Sequence, residues 1–490
     1  MSPEVVILFI AGTLVVSAIF TKVCFKIGVP TLIFFLSIGL LVGAEGIVGL
    51  RIEDPHVCLI IGTFALSFLI FTGGLNSNLK EARPIIKEAM VLASLGVVIT
   101  GAITGLAAVY ILGFDLKNGL LLGAIVSSTD AAATFSILQS SGIKLKNNIG
   151  QLLEFESGSN DPFAYLLTFM AISLMTATAA DTSSHFFVTL LQQLIIGGAL
   201  GILLGFATPL IFDRVNFHQE SLYPMFMVAI ALLIFAATAL IGGNGFLALY
   251  VAAVIIGNQQ FYSKKRVISF FDGQAWIMQV ILFVMLGLMV YPQELPGLAL
   301  EGVALALIII FVARPIAVFA ILAFFKRPVK DMLFISFAGL RGAASMVFAI
   351  FPLIYNIPSG HIIFNIVFFI ALISILAQGT LLPYAAKLLS LAEPYNDVVK
   401  LTSISRYIDE MEDLLMESSV HPESFAANKT LKELSMPDEL RIIRIMRSTS
   451  RIMPGGDIVL HPYDTLLLLV HDNEKAKLVR ELFGEPEHKD

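Results

Sequence analysis

G-A-I-V-S-S-T-D-A-A-A-T-F-S-I-L, residues 123–138, decides how this chain is read: Ser127, Ser128, Thr129 and Asp130 follow one another inside an apolar run. The next apolar run, Q-L-L-E-F-E-S-G-S-N-D-P-F-A-Y-L-L-T-F-M at 151–170, carries Glu154, Glu156, Ser157, Asn160 and Asp161. Both have the length of membrane helices, and an ionised Asp near a bilayer centre costs about 2.5–3.5 kcal/mol to insert. Such cargo in two adjacent spans points to movement of an ion or a proton.

Four consecutive polar residues cannot share one side of a helix, so the first run is expected to break at Thr129 and Asp130. A break turns backbone carbonyls, with the Thr129 and Asp130 side chains, toward one cavity at mid-membrane. Hydroxyls could instead bond back to their own helix, but an Asp at that depth has no such local partner. In the second run Ser157 and Asp161 form one i,i+4 pair, and Glu156 and Asn160 another rotated about 100° away. Pro162 removes a backbone donor and disturbs the Gly158 carbonyl one turn earlier. Asp161 and Ser157 are therefore expected at a site shared with Asp130, with Glu156 and Asn160 facing a stabilising partner.

Two basic residues lie deep in apolar runs: Arg314 in IIIFVARPIAVF and Arg341 in ISFAGLRGAASMVF. Glu156 is expected to pair with Arg314, with Asn160 bridging. Arg341, between Gly339 and Gly342, suggests a second interrupted helix. The fifth and twelfth spans then break seven spans apart. An odd offset inverts topology, so spans one to six and eight to thirteen read as inverted repeats linked by span seven. Asp130 and Arg341 fall at corresponding breaks, where opposite charges offset helix-end dipoles.

The rest of the chain fits this reading. Of 490 residues 57% are hydrophobic and 14% charged, and the mean hydropathy is +0.87, more apolar surface than a soluble core can bury. Apolar runs recur at about residues 5–24, 29–46, 57–76, 88–112, 118–139, 150–178, 186–212, 222–242, 246–258, 267–290, 296–325, 332–354 and 360–386, roughly thirteen spans. The first has no basic lead or cleavage site and reads as a span rather than a removed signal peptide. The net charge of −6 is spread over the loops, so no nucleic-acid partner is expected. Cys24 and Cys58 lack ligand spacing, so neither a disulfide framework nor a zinc site is expected, and no other cofactor is.

Lys and Arg cluster in alternate loops: Lys22 and Lys26; Lys80, Arg83 and Lys87; Lys144 and Lys146; Arg214; Lys264, Lys265 and Arg266; Lys326, Arg327 and Lys330; then Lys387. By the positive-inside bias the N-terminus lies outside and the C-terminus in the cytoplasm. The fold class is an all-α polytopic membrane protein with a small cytoplasmic α+β domain. The transmembrane part is expected over 1–390, an amphipathic connecting helix over 391–419, and the appendage over 420–490. In the appendage 440–447 and 465–470 read as strands, 454–457 and 461–464 as turns, and 474–483 as a closing helix.

The strings STDAAATFSIL, ESGSNDPFA, GNGFLALYVAAVIIGN, VARP and GLRGAAS, in this order and spacing, resemble NhaP-type monovalent cation/proton antiporters over about the first 390 residues. The resemblance implies a cation site at Thr129, Asp130, Ser157 and Asp161, the metal it holds at Asp130 and Asp161 being transported potassium or sodium. Glu156 and Asn160 become structural, with Arg314 as partner. It implies a homodimer in the bacterial inner membrane. Electrogenic relatives carry a second Asp where this chain has Asn160, which looks like the electroneutral class. Residues 428–484 are similar to RCK-C (TrkA-C) domains, which regulate potassium transport; Asn428 stands where that family usually has Gly. The tail tilts the cargo toward potassium and leaves room for a regulatory small molecule at 420–490.

Under this reading a proton and a cation compete for Asp161, since either neutralises a carboxylate that is costly to bury charged. Exchange is obligatory if the loaded site crosses and the empty one cannot. No GxxxxGK[ST] motif is present, so an ion gradient drives it. A potassium channel would want a TVGYG filter, and an intramembrane enzyme an HExxH or GxSxG pattern; neither occurs, so the chain is not expected to be an enzyme. A sensor for the tail would leave the intact protein transport-dead.

Overall fold

The computed structural model describes residues 3–27, 30–43, 46, 49, 54–176, 183–215, 217, 219, 221–394, 399–401, 414–434, 436, 440–447, 450–470, 479 and 482–483. The chain divides into two units, Met1–Glu393 and Pro394–Asp490.

The first unit is helical. Among the described residues seven helical runs are long and apolar enough to cross a membrane: Pro55–Asn76, Ile86–Leu112, Phe187–Arg214, Leu222–Leu240, Lys264–Met289, Ala299–Leu322 and Gly360–Leu388. The other apolar runs read from the sequence also contain helix, but shorter or more polar, so length and composition alone do not establish thirteen spans. Two of them are short because they are broken. Leu116–Ile125 and Ala131–Ser140 are separated by residues 126–130, and Val329–Phe337 and Ala343–Phe348 by 338–342. The short run expected at 246–258 is a helix of its own, Gly245–Gly257, after a turn at Gly242 with φ 80°.

Two buried apolar clusters run among these helices. One joins Phe68, Phe71, Phe212, Met227, Ile234 and Phe271 from the helices between 55 and 289. The larger includes Leu122, Phe155, Ile309, Phe334, Val347 and Ile366 from the site-bearing part, together with Phe35, Leu66 and Phe283 of Thr31–Val42, Pro55–Asn76 and Lys264–Met289. Helix Gly245–Gly257 belongs to both: Ala248, Leu249, Ala252 and Ile256 join the first, and Phe246, Tyr250 and Val254 the second.

Small residues let backbones meet within the site-bearing part. Gly101 and Gly105 of Val97–Leu112 lie on Gly119 and Gly123 of Leu116–Ile125; a Cβ at Gly105 would sit 2.8 Å from the Gly119 carbonyl oxygen, and one at Gly101 3.2 Å from that of Gly123. Among the described residues three helices carry one wide π turn, at Leu92–Gly96, Ile309–Ala313 and Ser374–Gly379. The second has a local cause, since Pro315 has no N–H to offer the Phe311 carbonyl.

The second unit contains a five-stranded antiparallel sheet in the order Val399–Leu401, Leu414–Ser419, Thr465–Val470, Leu440–Arg447 and Ser450–Ile452. Its core includes Met416, Ile445, Leu466, Leu468, Val470 and Phe483. Both strands expected at 440–447 and 465–470 are present. The connecting helix expected over 391–419 is not borne out where residues are described: Leu414–Ser419 is a strand along Thr465–Val470, with Met416 and Ser418 buried and Ser419 exposed. Period-two burial on a central strand overrides the acidic helical spacing read there. Residues 402–413, which carry most of that helical pattern, and most of the closing helix at 474–483 lie outside the described residues. Asn428 has φ 61°, the left-handed conformation that explains why a glycine suits this position.

Candidate functional site

The two breaks meet. The Asp130 N–H donates to the Leu340 carbonyl at 2.8 Å, and the Thr134 hydroxyl to the Ala338 carbonyl at 3.1 Å. The first helix ends as Ser127 turns its hydroxyl back to the Ala124 carbonyl at 2.6 Å. The second half restarts on Asp130, whose extended backbone and side chain cap the helix by accepting from the Ala133 N–H at 3.0 Å. Gly342 is needed for close approach: a Cβ there would lie 2.7 Å from Asp130 Cβ and Cγ.

Opposite charges sit at opposite helix ends. Asp130 lies at the start of Ala131–Ser140 and also against the Ala343 N–H that begins the other half-helix. Arg341 Nη1 donates to the Ser127 and Ser128 carbonyls at 2.7 and 2.8 Å, closing the carbonyl end of Leu116–Ile125. Its own N–H donates to the Ser374 hydroxyl at 2.9 Å, and that hydroxyl bonds Gln378 at 2.5 Å. Ser374 and Gln378 were not singled out by sequence. They lie in the π turn of a distant helix, and only that wide turn in an apolar run hints at them.

Helix Ile149–Thr176 brings the second polar set to this crossing. Ser128 donates to Asp161 Oδ1 at 2.8 Å. Ser157 donates to the Thr129 carbonyl at 2.6 Å and accepts from the Ala131 N–H at 2.8 Å, so its hydroxyl bridges the break. Asp161 and Asp130 are close enough for their charges to repel. One Asp130 oxygen, Oδ2, is buried without a hydrogen-bond partner. Thr129, Asp130, Ser157 and Asp161 are thus brought together, two carboxylates among hydroxyls and a carbonyl. Among the described residues no group of three or more His, Cys, Asp or Glu could hold a metal ion, and the donors gathered here are all oxygens.

Glu156 and Arg314 form a two-pronged ion pair, 2.6 Å on each prong, with side chains 1% and 3% exposed. Asn160 does not bridge them. Its amide donates to the Thr129 hydroxyl at 2.6 Å and its oxygen accepts from the Thr129 N–H at 3.4 Å. The unwound Thr129 backbone is the nearer unsatisfied donor, so Asn160 holds the break instead. Asn244 was also missed: it donates to the Pro162 carbonyl at 2.9 Å and caps its own helix by accepting from Leu247 at 3.0 Å.

The family model described as sodium/hydrogen exchanger, transmembrane, matches residues 9–388, and that of the TrkA-C domain matches 415–484. The K(+)/H(+) antiporter NhaP of Alkalimonas amylolytica is 36% identical over 465 residues, 94% of this chain and 80% of that one. The K(+)/H(+) antiporter NhaP2 of Shewanella sp. strain MR-4 is 33% identical over 488 residues, 98% and 84% of the two chains. Among solved structures, the sodium proton antiporter MjNhaP1 of Methanocaldococcus jannaschii superposes with a TM-score of 0.69 at 22% identity, covering 79% of this chain and 100% of that one. At that identity the superposition speaks for the fold.

Proposed function

The chain belongs to the sodium/hydrogen exchanger family, and from that premise we propose that it exchanges potassium for protons, one for one, at a site centred on Asp161 and Asp130. The observation that carries this is a charge count. Glu156 and Arg314 cancel as a pair, and of the other buried charges at the crossing Asp130 and Asp161 are negative and Arg341 is positive, which leaves one negative charge in excess. Asp161, held by a serine hydroxyl, has no ion-pair partner among the described residues. One proton or one monovalent cation neutralises it, and both cannot bind at once. An empty site would carry a buried negative charge through the membrane, so only loaded forms cross and the two gradients are coupled.

Thr129, Asp130, Ser157 and Asp161 hold the cation in this reading, while Glu156, Asn160, Arg314 and Arg341 keep the breaks open. In this reading the site crosses by movement of the bundle that carries the broken helices against a scaffold built from other helices. Potassium is favoured because relatives at 33–36% identity are named K(+)/H(+) antiporters and a TrkA-C domain follows the membrane part. The protein acts as a homodimer in the bacterial inner membrane, its C-terminal unit in the cytoplasm as a regulatory appendage that takes a small ligand. Sodium in place of potassium is the second reading, since the solved neighbour is a sodium proton antiporter.

Proton flux in vesicles bearing the intact protein tests both. Potassium-triggered proton movement, absent in Asp161→Asn and indifferent to membrane potential, is expected. A response to sodium alone moves the assignment to the second reading, and equal flux in the variant removes Asp161 from the mechanism.

A further inference from the structure

Helix Ile149–Thr176 is buried around most of its site-bearing half, but one stripe is not. Gln151, Glu154, Gly158 and Asp161 are half-buried, while Leu153, Phe155, Glu156, Ser157, Ser159 and Asn160 between them are buried. Steps of three, four and three residues put the four on one helical face. The stripe leads from the Lys144–Lys146 end of the helix to the site. Its outer end is acidic: Glu154 lies near Glu81, which accepts from Gln151 Nε2 at 3.1 Å.

Tyr250 crosses this stripe midway. A Cβ at Gly158 would stand 2.9 Å from its ring Cζ and 3.0 Å from its hydroxyl oxygen, so the ring lies flush on a residue that has to be glycine. The ring therefore sits between Glu154, one turn before Gly158, and Asp161, about one turn after it. Its hydroxyl is buried beside Ser77 and Ser159 but closes no hydrogen bond of good geometry with either. Beside two serine hydroxyls it is a polar atom that phenylalanine would not supply. Tyr250 is carried by Gly245–Gly257, the helix that belongs to both apolar clusters.

We infer that Tyr250 is a gate on the Glu154 side of the Asp161 site, its ring closing the path between the two carboxylates and its hydroxyl serving as a polar station for passing cations and protons. This rests on the exchange reading above. Because Tyr250 and Gly158 are carried by different helices, a shift of Ile149–Thr176 along Gly245–Gly257 moves the glycine out from under the ring. The path then opens through that movement and needs no change of Tyr250 rotamer, which ties access at this end to the position of the site.

Vesicles holding the intact protein, a pH gradient and no potassium or sodium separate the two roles. Wild type should hold the gradient. Tyr250→Ala, which removes the ring, and Gly158→Ala, which displaces it, should let protons leak several-fold faster. Tyr250→Phe should stay tight, yet raise the potassium concentration for half-maximal exchange by about 2- to 10-fold, the worth of one neutral hydrogen bond. If Tyr250→Ala fails to fold, judged by elution in detergent, Gly158→Ala and Tyr250→Phe decide. Tight vesicles with the folded ring variants, or wild-type half-saturation in Tyr250→Phe, overturn the gate. A wild-type protein that moves no protons on potassium or sodium addition refutes the exchange reading instead, and the leak comparison still reads the gate.

Discussion

Replacing Arg314 with Met would leave Glu156 charged and buried without its ion-pair partner. Both carboxylate oxygens are held, at 2.6 Å each, and neither side chain is more than 3% exposed. Asn160, the nearest alternative donor on that helix face, is committed to Thr129. Removing one partner of such a pair typically costs about 3–5 kcal/mol, whereas removing both in favour of apolar groups is often neutral or stabilising. The single variant should therefore lose a factor of about 10² to 10⁴ in its folded-to-unfolded ratio, and Arg314→Met with Glu156→Leu should recover most of it. Titration from mild detergent into a denaturing one, followed by the monodisperse fraction, gives both numbers. A single variant as stable as wild type, or a double variant no better than the single, would refute the idea that this pair is held together against desolvation. Recovery of exchange in the double variant would further separate Arg314 from the cargo.

Ser128→Ala removes the donor on Asp161 and should shift the potassium concentration for half-maximal exchange by about 10- to 100-fold, the range for a hydrogen bond to a charged group; a shift within error of zero counts against the site. Gly342→Ala drives a methyl into Asp130 and should cost about 1–3 kcal/mol of stability and most of the exchange rate, read by thermal unfolding and vesicle flux. In the C-terminal unit burial pushes the Asp464 carboxyl up, but two bonds from Arg447, at 2.8 and 2.7 Å, and one from the His461 N–H outweigh it and hold the group below its ordinary value of about 3.9. Protons then bind the unfolded chain first, so the stabilisation is full above about pH 4 and disappears as pH falls through the folded value. Hydrogen exchange in strand Thr465–Val470 should quicken over that window, and in Arg447→Leu already at neutral pH.

The sequence made the broken helices and the Glu156 to Arg314 pairing legible because both follow from one-dimensional costs. Four polar residues in a row have no common helix face, and a buried acid must find one of the few buried bases. Ser374, Gln378, Asn244 and Tyr250 could not be found that way. Ser374, Gln378 and Tyr250 are ordinary residues in apolar runs and Asn244 sits in a glycine turn, and the importance of each comes from a partner between 33 and 92 positions away that only the packing selects. Asn160 was misassigned for a related reason: helical spacing told which face it occupies, but not that an unwound Thr129 would present both N–H and hydroxyl to that face. The connecting helix erred where a local acidic pattern competed with sheet pairing to Thr465–Val470, a contact invisible at the level of neighbouring residues.

The wide turn at Leu92–Gly96 makes this part of the chain unequally tolerant of deletion. A wide turn holds one residue more than a regular helical turn, and no proline follows closely enough to require it there. Losing one residue from 92–96 would let the helix close up while Val97–Leu112 keeps its facing. Losing one a few positions later would turn everything beyond it by about 100°. Gly101 and Gly105 would then swing away from Gly119 and Gly123, and side chains would arrive where a Cβ finds carbonyl oxygen at 2.8 to 3.2 Å. In the alignment of a lengthening or shortening lineage, gaps in this helix belong at 92–96.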